Sequence, residues 1–379
     1  MRAKSLAGNA RRGSGSAGVV RSWIGRRHLK GKNRVETCVP APRRSTRRRR
    51  VDLVGPWQRA LPRPIPFLPV LCIGIMTKAI NIISPHYDDA ALSLALCIGH
   101  WIEAGAEIRV INCFTRTSHA PFSGEHGRIR IALRSMGLGR LRKFLLHRGL
   151  QSVAAAPRTD PEKVEKISAL RSREDAAFSK FYGTALTSIG LGRSDAPLRK
   201  QLSVSFVCRP LAFDAEDHAE VAALGEQLRE IVATGLVLAP LALGDHLDHR
   251  IARQAAAAVV GADRLAFYEE LPYAAGVGGD LLTAKLHELE TLVGSGDPLA
   301  RITPAAAGRG EEKGTVISAY RSQFSRRELG EIAKLGGGAE RVWASGAWLA
   351  AYGKCGLGTL GGAAGAADPN GIGVPNAEY

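Results

Sequence analysis

The sequence predicts an α/β fold: a mostly parallel sheet with helices on both faces, folded as a single domain. Three observations carry this. Short apolar runs rich in β-branched residues recur along the chain, and each reads as a strand buried on both sides. Stretches with helical spacing of apolar residues stand between them. The two kinds alternate, which is the pattern of β-α-β crossovers.

Ala79 to Ser84 (AINIIS) is the first buried strand. It runs into Pro85-His86-Tyr87-Asp88-Asp89. A helix comes next, from about Asp89 to Ala104, with Leu92, Leu96, Ile98 and Ile102 near helical spacing. Gly105 ends that helix. Glu107 to Phe114 (EIRVINCF) is the second strand. Ser118 to Pro161 is irregular; its basic stretch from Arg128 to Arg148 is expected to be partly helical, and its length suggests a functional loop or lid. Glu162 to Phe181 is a helix, Ala185 to Leu191 a strand, and His218 to Ala233 an amphipathic helix. Leu236 to Leu243 (LVLAPLAL) is another buried strand. It leads through Gly244-Asp245-His246-Leu247-Asp248-His249 into an Ala-rich helix over 250–260, and Arg264 to Glu269 is a further strand. The resulting architecture is Rossmann-like.

The formal net charge is +17, from 52 Lys/Arg and 35 Asp/Glu. Residues 1–75 hold 18 of the basic residues and only Glu36 and Asp52, so that end alone carries +16. Residues 76–379 are close to neutral, and no nucleic-acid partner is expected for the core domain. Residues 1–75 lack apolar periodicity, contain the run Arg47-Arg48-Arg49-Arg50, and read as a disordered basic leader. Met76 directly precedes the first strand and is the expected start, with 1–75 an over-extended reading frame. A nucleic-acid- or anion-binding tail and a targeting segment are the alternatives. Residues 76–352 are expected to be the folded domain and 353–379 a Gly/Ala-rich flexible tail. No window has 18 uninterrupted apolar residues, so no transmembrane segment is expected. Six cysteines without a C-x-x-C pair argue against a zinc ribbon or a disulfide framework, and reduced thiols make a cytoplasmic setting the default.

Ligands of open parallel sheets bind at the carboxyl ends of strands. Two strands here end in His/Asp clusters, His86-x-Asp88-Asp89 and His246-x-Asp248-His249. Alone, the first reads more simply as a helix cap and the second as a surface pair. Together they supply two imidazoles and a carboxylate, the ligand set of a catalytic zinc with an open position, and a second Asp for general base work.

At these residues the sequence resembles the PIG-L (LmbE-like) zinc-dependent N-acetylglucosaminyl deacetylases. Pro85-His86-Tyr87-Asp88-Asp89 is similar to their P-H-x-D-D motif and His246-Leu247-Asp248-His249 to their H-x-D-H motif. Arg171-Ser172-Arg173-Glu174 is like the family's R-x-x-E helix. Ser194 to Arg199, Tyr268 to Tyr273 and Tyr320 to Phe324 are like later signatures of one branch, and the resemblance spans about residues 78–345. It implies that His86, Asp89 and His249 bind one Zn2+, with Fe2+ or another divalent ion as the alternative. It implies Asp88 as the base that deprotonates the metal's water. It implies His246 as the oxyanion stabiliser that carries positive charge, with Asp248 orienting it. Arg171 would contact substrate, and Asp195 would lie near the sugar. The implied reaction removes an N-acetyl group from an N-acetylglucosamine-type aminosugar in a small molecule or glycoconjugate. Three departures stand out. Tyr87 replaces a common Pro, Ala90 a common Glu, and Gly244 a tyrosine of some members, so any catalytic tyrosine would come from elsewhere.

Other residues have plainer readings. His100 reads as structural, and His119 and His126 as solvent-exposed near the site mouth. Arg171, Arg173 and Glu174 read equally as a charged helix face, and Tyr320 and Gln323 as anchors of a terminal helix. Trp343, Trp348, Cys97 and Cys113 read as packing residues. The competing functions are an amidase for a larger acyl group or a thiol conjugate, and a non-catalytic metal- or ligand-binding module tethered to nucleic acid by the leader.

Overall fold

In the computed structural model, residues 78–121, 160–294, 296–304 and 309–357 are described. The expectations for the leader and Met76, for most of 118–161 with His126, and for the tail beyond residue 357 lie outside these residues.

Seven strands form one sheet: β1 (Ala79–Ser84), β2 (Glu107–Asn112), β3 (Leu186–Gly190), β4 (Leu236–Pro240), β5 (Leu265–Tyr268), β6 (Ala300–Ile302) and β7 (Val342–Ala344), in the order β3-β2-β1-β4-β5-β7-β6. The first five are parallel, as the sequence predicts. β7 joins β5 antiparallel and β6 joins β7 antiparallel, an edge the sequence reading does not contain. Each of these two strands has three residues, too few for a period to show.

The helices are α1 (Asp89–Glu103), α2 (Pro161–Phe181), α3 (Ala196–Lys200), α4 (Val204–Val207), α5 (Ala215–Ile231), α6 (Leu247–Val259), α7 (Gly279–Val293), α8 (Gly310–Val316), α9 (Arg326–Ile332) and α10 (Gly346–Lys354). All six residues of β1 are buried because both sheet faces are covered. The side-chain amide nitrogen of its buried Asn81 donates to the Thr234 and Leu236 carbonyls at 2.8 and 3.3 Å. Gly105 takes φ +85° and ends α1 as expected. α2 opens on Asp160, whose side chain accepts from Glu162 N–H, with Pro161 in the first turn.

From β1 the chain steps through α1 to β2 and on to β3 on one side. On the other side β4 steps through α6 to β5. Right-handed crossovers running in opposite directions place α1 and α6 on opposite faces. The order reverses between β1 and β4, and a crevice opens at such a point beyond the carboxyl ends of the two strands. Both His/Asp clusters stand there. β4 is shorter than expected. Pro240 is its last residue, and Ala242 (φ +63°) and Asp245 (φ +53°) bend the chain back so that His246 caps α6. No helix among the described residues is long and apolar enough to cross a membrane.

Candidate metal centre and its pocket

The turn after β1 folds His86 back on Asp89. The Asp89 Oδ2 accepts from the His86 backbone N–H at 2.8 Å and lies 3.1 Å from His86 Nδ1. His249, on the first turn of α6, brings its Nε2 to 3.3 Å from the same oxygen. One atom from each of His86, Asp89 and His249 thus lies within 4.8 Å of the others. Two motifs so far apart in sequence meet because β1 and β4 are sheet neighbours.

Each imidazole is held from behind by a carboxylate. His249 Nδ1 lies 3.0 Å from Glu270 Oε1, and Glu270 is fully buried. His86 Nε2 lies 3.1 Å from Asp248 Oδ2. A carboxylate at the far nitrogen fixes the tautomer, so that the near nitrogen presents a lone pair. His249 Nε2 is buried and has no hydrogen-bond partner among the described residues, although it faces Asp89. An orphaned imidazole nitrogen and a carboxylate oxygen aimed at one point suit a divalent ion such as Zn2+, and an imidazole/carboxylate set suits Fe2+ as well. A second grouping, His86, His246 and Asp248, also brings one atom from each residue within 4.8 Å of the others. Asp248 is already engaged there: it accepts from Ala196 N–H and from Arg199 Nη1, both at 2.8 Å. The grouping with Asp89 is therefore the better metal site.

The charges follow the geometry. Burial pulls the His86 imidazole down, but the Asp248 and Asp89 carboxylates outweigh it and bring it to about 9. Burial acts on His249 in the same way, and Asp89 with Glu270 brings it to about 10. Burial would raise Asp89, but His249 and His86 hold it well below the usual carboxylate range. For His246, burial and then the neighbouring His86 act together and push it well below 6.5, so it is neutral.

Asp88 and His246 both line the pocket beside this cluster. Asp88 accepts from Arg171 Nη2 at 2.7 Å, and both side chains are buried. His246 Nδ1 accepts the Asp248 N–H at 3.2 Å, which leaves Nε2 carrying the proton. Asp248 meets His246 through its backbone N–H, while its carboxylate, 4.0 Å from His246 Nδ1, reaches across to His86 after β1.

The pocket holds about 220 Å3. Arg171 and Asp195 line it, the latter capping α3 by accepting from Leu198 N–H at 3.1 Å. Burial and the charge of Asp248 raise the Asp195 carboxyl. Arg171 and Glu174 are buried, so they are no charged surface, while Arg173 is exposed. Glu174 accepts from both N–H and Oγ of Ser322 at 2.7 Å, fixing the turn that brings Gln323 to the pocket. His119 is half-buried and lines the pocket instead of facing solvent; its carbonyl accepts from Gln323 Nε2 at 2.8 Å. Tyr320 donates to Asp175 at 3.2 Å, anchoring the same turn on α2. Cys97, Cys113, Trp343 and Trp348 are buried, as expected.

Sequence reasoning gives Glu270, Arg199 and Tyr273 no role, although each stands within a motif that carries the resemblance. A buried-strand end running into two acids, Glu269-Glu270, is the available signal for Glu270.

No protein-family model matches the chain, and no curated protein matches it. Among solved structures it is similar to a deacetylase of the teicoplanin biosynthesis pathway, at 19% identity over 70% of this chain and 96% of that one, with a TM-score of 0.42. It is also similar to N,N'-diacetylchitobiose deacetylase from Pyrococcus horikoshii, at 14% identity over 72% and 85% of the chains, TM-score 0.36. A third is GalB, the 4-carboxy-2-hydroxymuconate hydratase from Pseudomonas putida KT2440, at 14% identity over 68% and 83%, TM-score 0.35.

Proposed function

We propose that the chain is a metal-dependent N-deacetylase of the PIG-L (LmbE-like) kind, acting on an N-acetylglucosamine-type aminosugar in a small molecule or glycoconjugate. The observation that carries this is the convergence of His86, Asp89 and His249 on one point, where His86 and Asp89 line a pocket together with Asp88 and His246. His86 Nδ1, Asp89 Oδ2 and His249 Nε2 would hold one Zn2+, or Fe2+ in its place. Such an ion supplies Lewis acidity, acidifying a water and polarising the acyl oxygen.

The residues do the rest. Asp88 takes the proton of the attacking water as a C–O bond forms at the amide carbon. It then hands that proton to the amine nitrogen as the C–N bond breaks. Arg171 holds the Asp88 carboxylate on the pocket side through the bond at 2.7 Å. The His246 Nε2–H, neutral and fixed by its Nδ1 bond, donates to the oxyanion of the tetrahedral intermediate, a role typically worth roughly 3–4 kcal/mol. Arg171, Asp195 and Gln323 provide polar contacts for a sugar.

The test is amine release from N-acetylglucosamine and its glycosides by metal-loaded protein. Turnover in the wild type, falling at least about 10²-fold in Asp88→Asn with metal content unchanged, is expected. A metal-loaded protein that frees no amine from any acetamido sugar overturns the reading.

A further inference from the structure

The lining of the pocket is divided along the sheet. Outside the two His/Asp clusters its polar side chains, His119, Asp195, Arg171 and Gln323, all stand over the β2–β3 side, with the apolar Pro197, Val204 and Phe324 also in the lining. Over the β5 side stand Leu271, Pro272 and Tyr273, which come directly after β5, and Leu92 of α1. The β5 loop is tied to α1 there, since Leu271 N–H donates to Ser93 Oγ at 3.1 Å. The metal cluster lies between the two groups, on the ends of β1 and β4.

Tyr273 is built into this apolar side. Its ring meets the His249 ring edge-on, centroids 5.4 Å apart at 85°. It also lies on Gly244: a Cβ at 244 would run into Tyr273 Cδ1 and come 2.6 Å from Cγ. Gly244 has no positive φ, so its reason for being glycine is the ring above it. The Tyr273 ring in this position excludes a side chain at 244, so this chain fills the space from the β5 loop.

We propose that Leu92, Leu271, Pro272 and Tyr273 form the wall for the acyl group of the substrate, and that Tyr273, seated on Gly244, sets the largest acyl group the site accepts. The proposal rests on the amide-hydrolase reading of the site and goes further, by assigning substrate orientation: sugar toward β2–β3, acyl toward β5. An amide carbon at the cluster has its two substituents pointing apart. The polar half suits the hydroxyls, and the dry half suits a methyl group. With the ring in place, the acyl side closes after a short group.

The experiment uses full-length, metal-loaded protein and two series of probes. The first is hydrolysis of N-acetyl-, N-butanoyl- and N-hexanoylglucosamine. The second, free of any turnover, is calorimetric binding of acetate, butanoate and hexanoate. Each newly buried methylene is worth about fourfold. Tyr273→Ala should therefore shift the hexanoyl-to-acetyl preference toward the longer chain by about tenfold or more in both series. Metal content should stay unchanged. Tyr273→Phe, which keeps the ring, should leave the preference where it is, and the milder Tyr273→Leu should move it part of the way. Unchanged preferences in Tyr273→Ala and Tyr273→Leu, with metal retained, overturn the wall. Should no sugar be hydrolysed while carboxylate preferences shift as stated, the hydrolase reading falls and the wall stands. The steric lock has its own readout: Gly244→Ala should lower the melting temperature of the wild type but hardly that of Tyr273→Ala. Equal losses in the two backgrounds overturn the lock.

Discussion

Glu270 is the residue whose removal tells most about the metal cluster. Its Oε1 faces His249 Nδ1 at 3.0 Å and accepts the Ala242 N–H at 2.6 Å. Ala242 sits at φ +63°, an uncommon conformation for a residue with a Cβ, so Glu270 braces the bend after β4 as well as the imidazole. Glu270→Ala removes both supports. It leaves a buried N–H without an acceptor, which costs about 1–3 kcal/mol. A domain of this size loses roughly 2–4 °C of melting temperature per kcal/mol. It also frees the imidazole to turn, and losing such a carboxylate weakens metal binding by about 10–100-fold. Glu270→Gln separates the charge from the bracing, since one oxygen makes both contacts. Its amide oxygen still accepts from Ala242, so stability should stay within about 1 kcal/mol of wild type, while the lost charge still weakens the metal. Competition against a chromophoric chelator gives the affinity, and thermal melts of the metal-free proteins give the stability. Wild-type metal affinity in both variants, or equal destabilisation by Gln and Ala, would refute this reasoning.

Three further outcomes are expected. In the metal-free protein His86 and His249 hold their protons to about 9 and about 10, so metal uptake near pH 7 should release about two protons. Calorimetry in buffers of different ionisation enthalpy counts them, and a count of zero contradicts the ligand assignment. Asp175 is raised to about 6 by burial, against 3.8 in the unfolded chain, so its stabilising effect is full below about 3.8 and lost as pH rises through 6. Asp175→Asn should then gain stability near pH 7.5, by up to about 3 kcal/mol, and gain nothing near pH 4; denaturant melts at both pH values decide. Lys313 and Glu340 form a fully buried ion pair at 2.7 Å, and Glu340 also accepts the Cys97 N–H of α1 at 2.8 Å. Lys313→Met strands that carboxylate and should cost about 3–5 kcal/mol, much of it recovered by adding Glu340→Gln. Full loss in the double variant would show that the charge is not the cause.

The parallel half of the fold is legible in the sequence because its strands are apolar on both faces. β1 carries Ile80, Ile82 and Ile83, and β4 is LVLAP. The antiparallel edge is not legible. β6 and β7 are short, and Trp343 is held there by donating to Glu269 at 2.8 Å, a contact across 74 residues that no local pattern announces. Helix α7 escapes a sequence reading for a related reason: only Leu289 of its fifteen residues is fully buried, so its apolar face makes a weak signal. At the site, the motifs at His86 and His246 name the residues that the switch between β1 and β4 brings together. Side-chain direction is beyond them. H-x-D-H does not say that Asp248 serves the histidine of the other motif, because that depends on Ala196 N–H and Arg199 arriving from β3's side to hold its carboxylate. Nor does a glycine at 244 say that a tyrosine at 273 fills the space above it.

Two motifs far apart in sequence should build one metal site if His86, Asp89 and His249 act together. Metal stoichiometry of the full-length chain after loading with Zn2+ or Fe2+, beside Asp89→Ala and His249→Ala with their folds checked by circular dichroism, tests it most directly. Near one ion per wild-type chain, lost in both folded variants, is the expected result. A wild type that takes up no ion, or variants that keep it, would contradict the site.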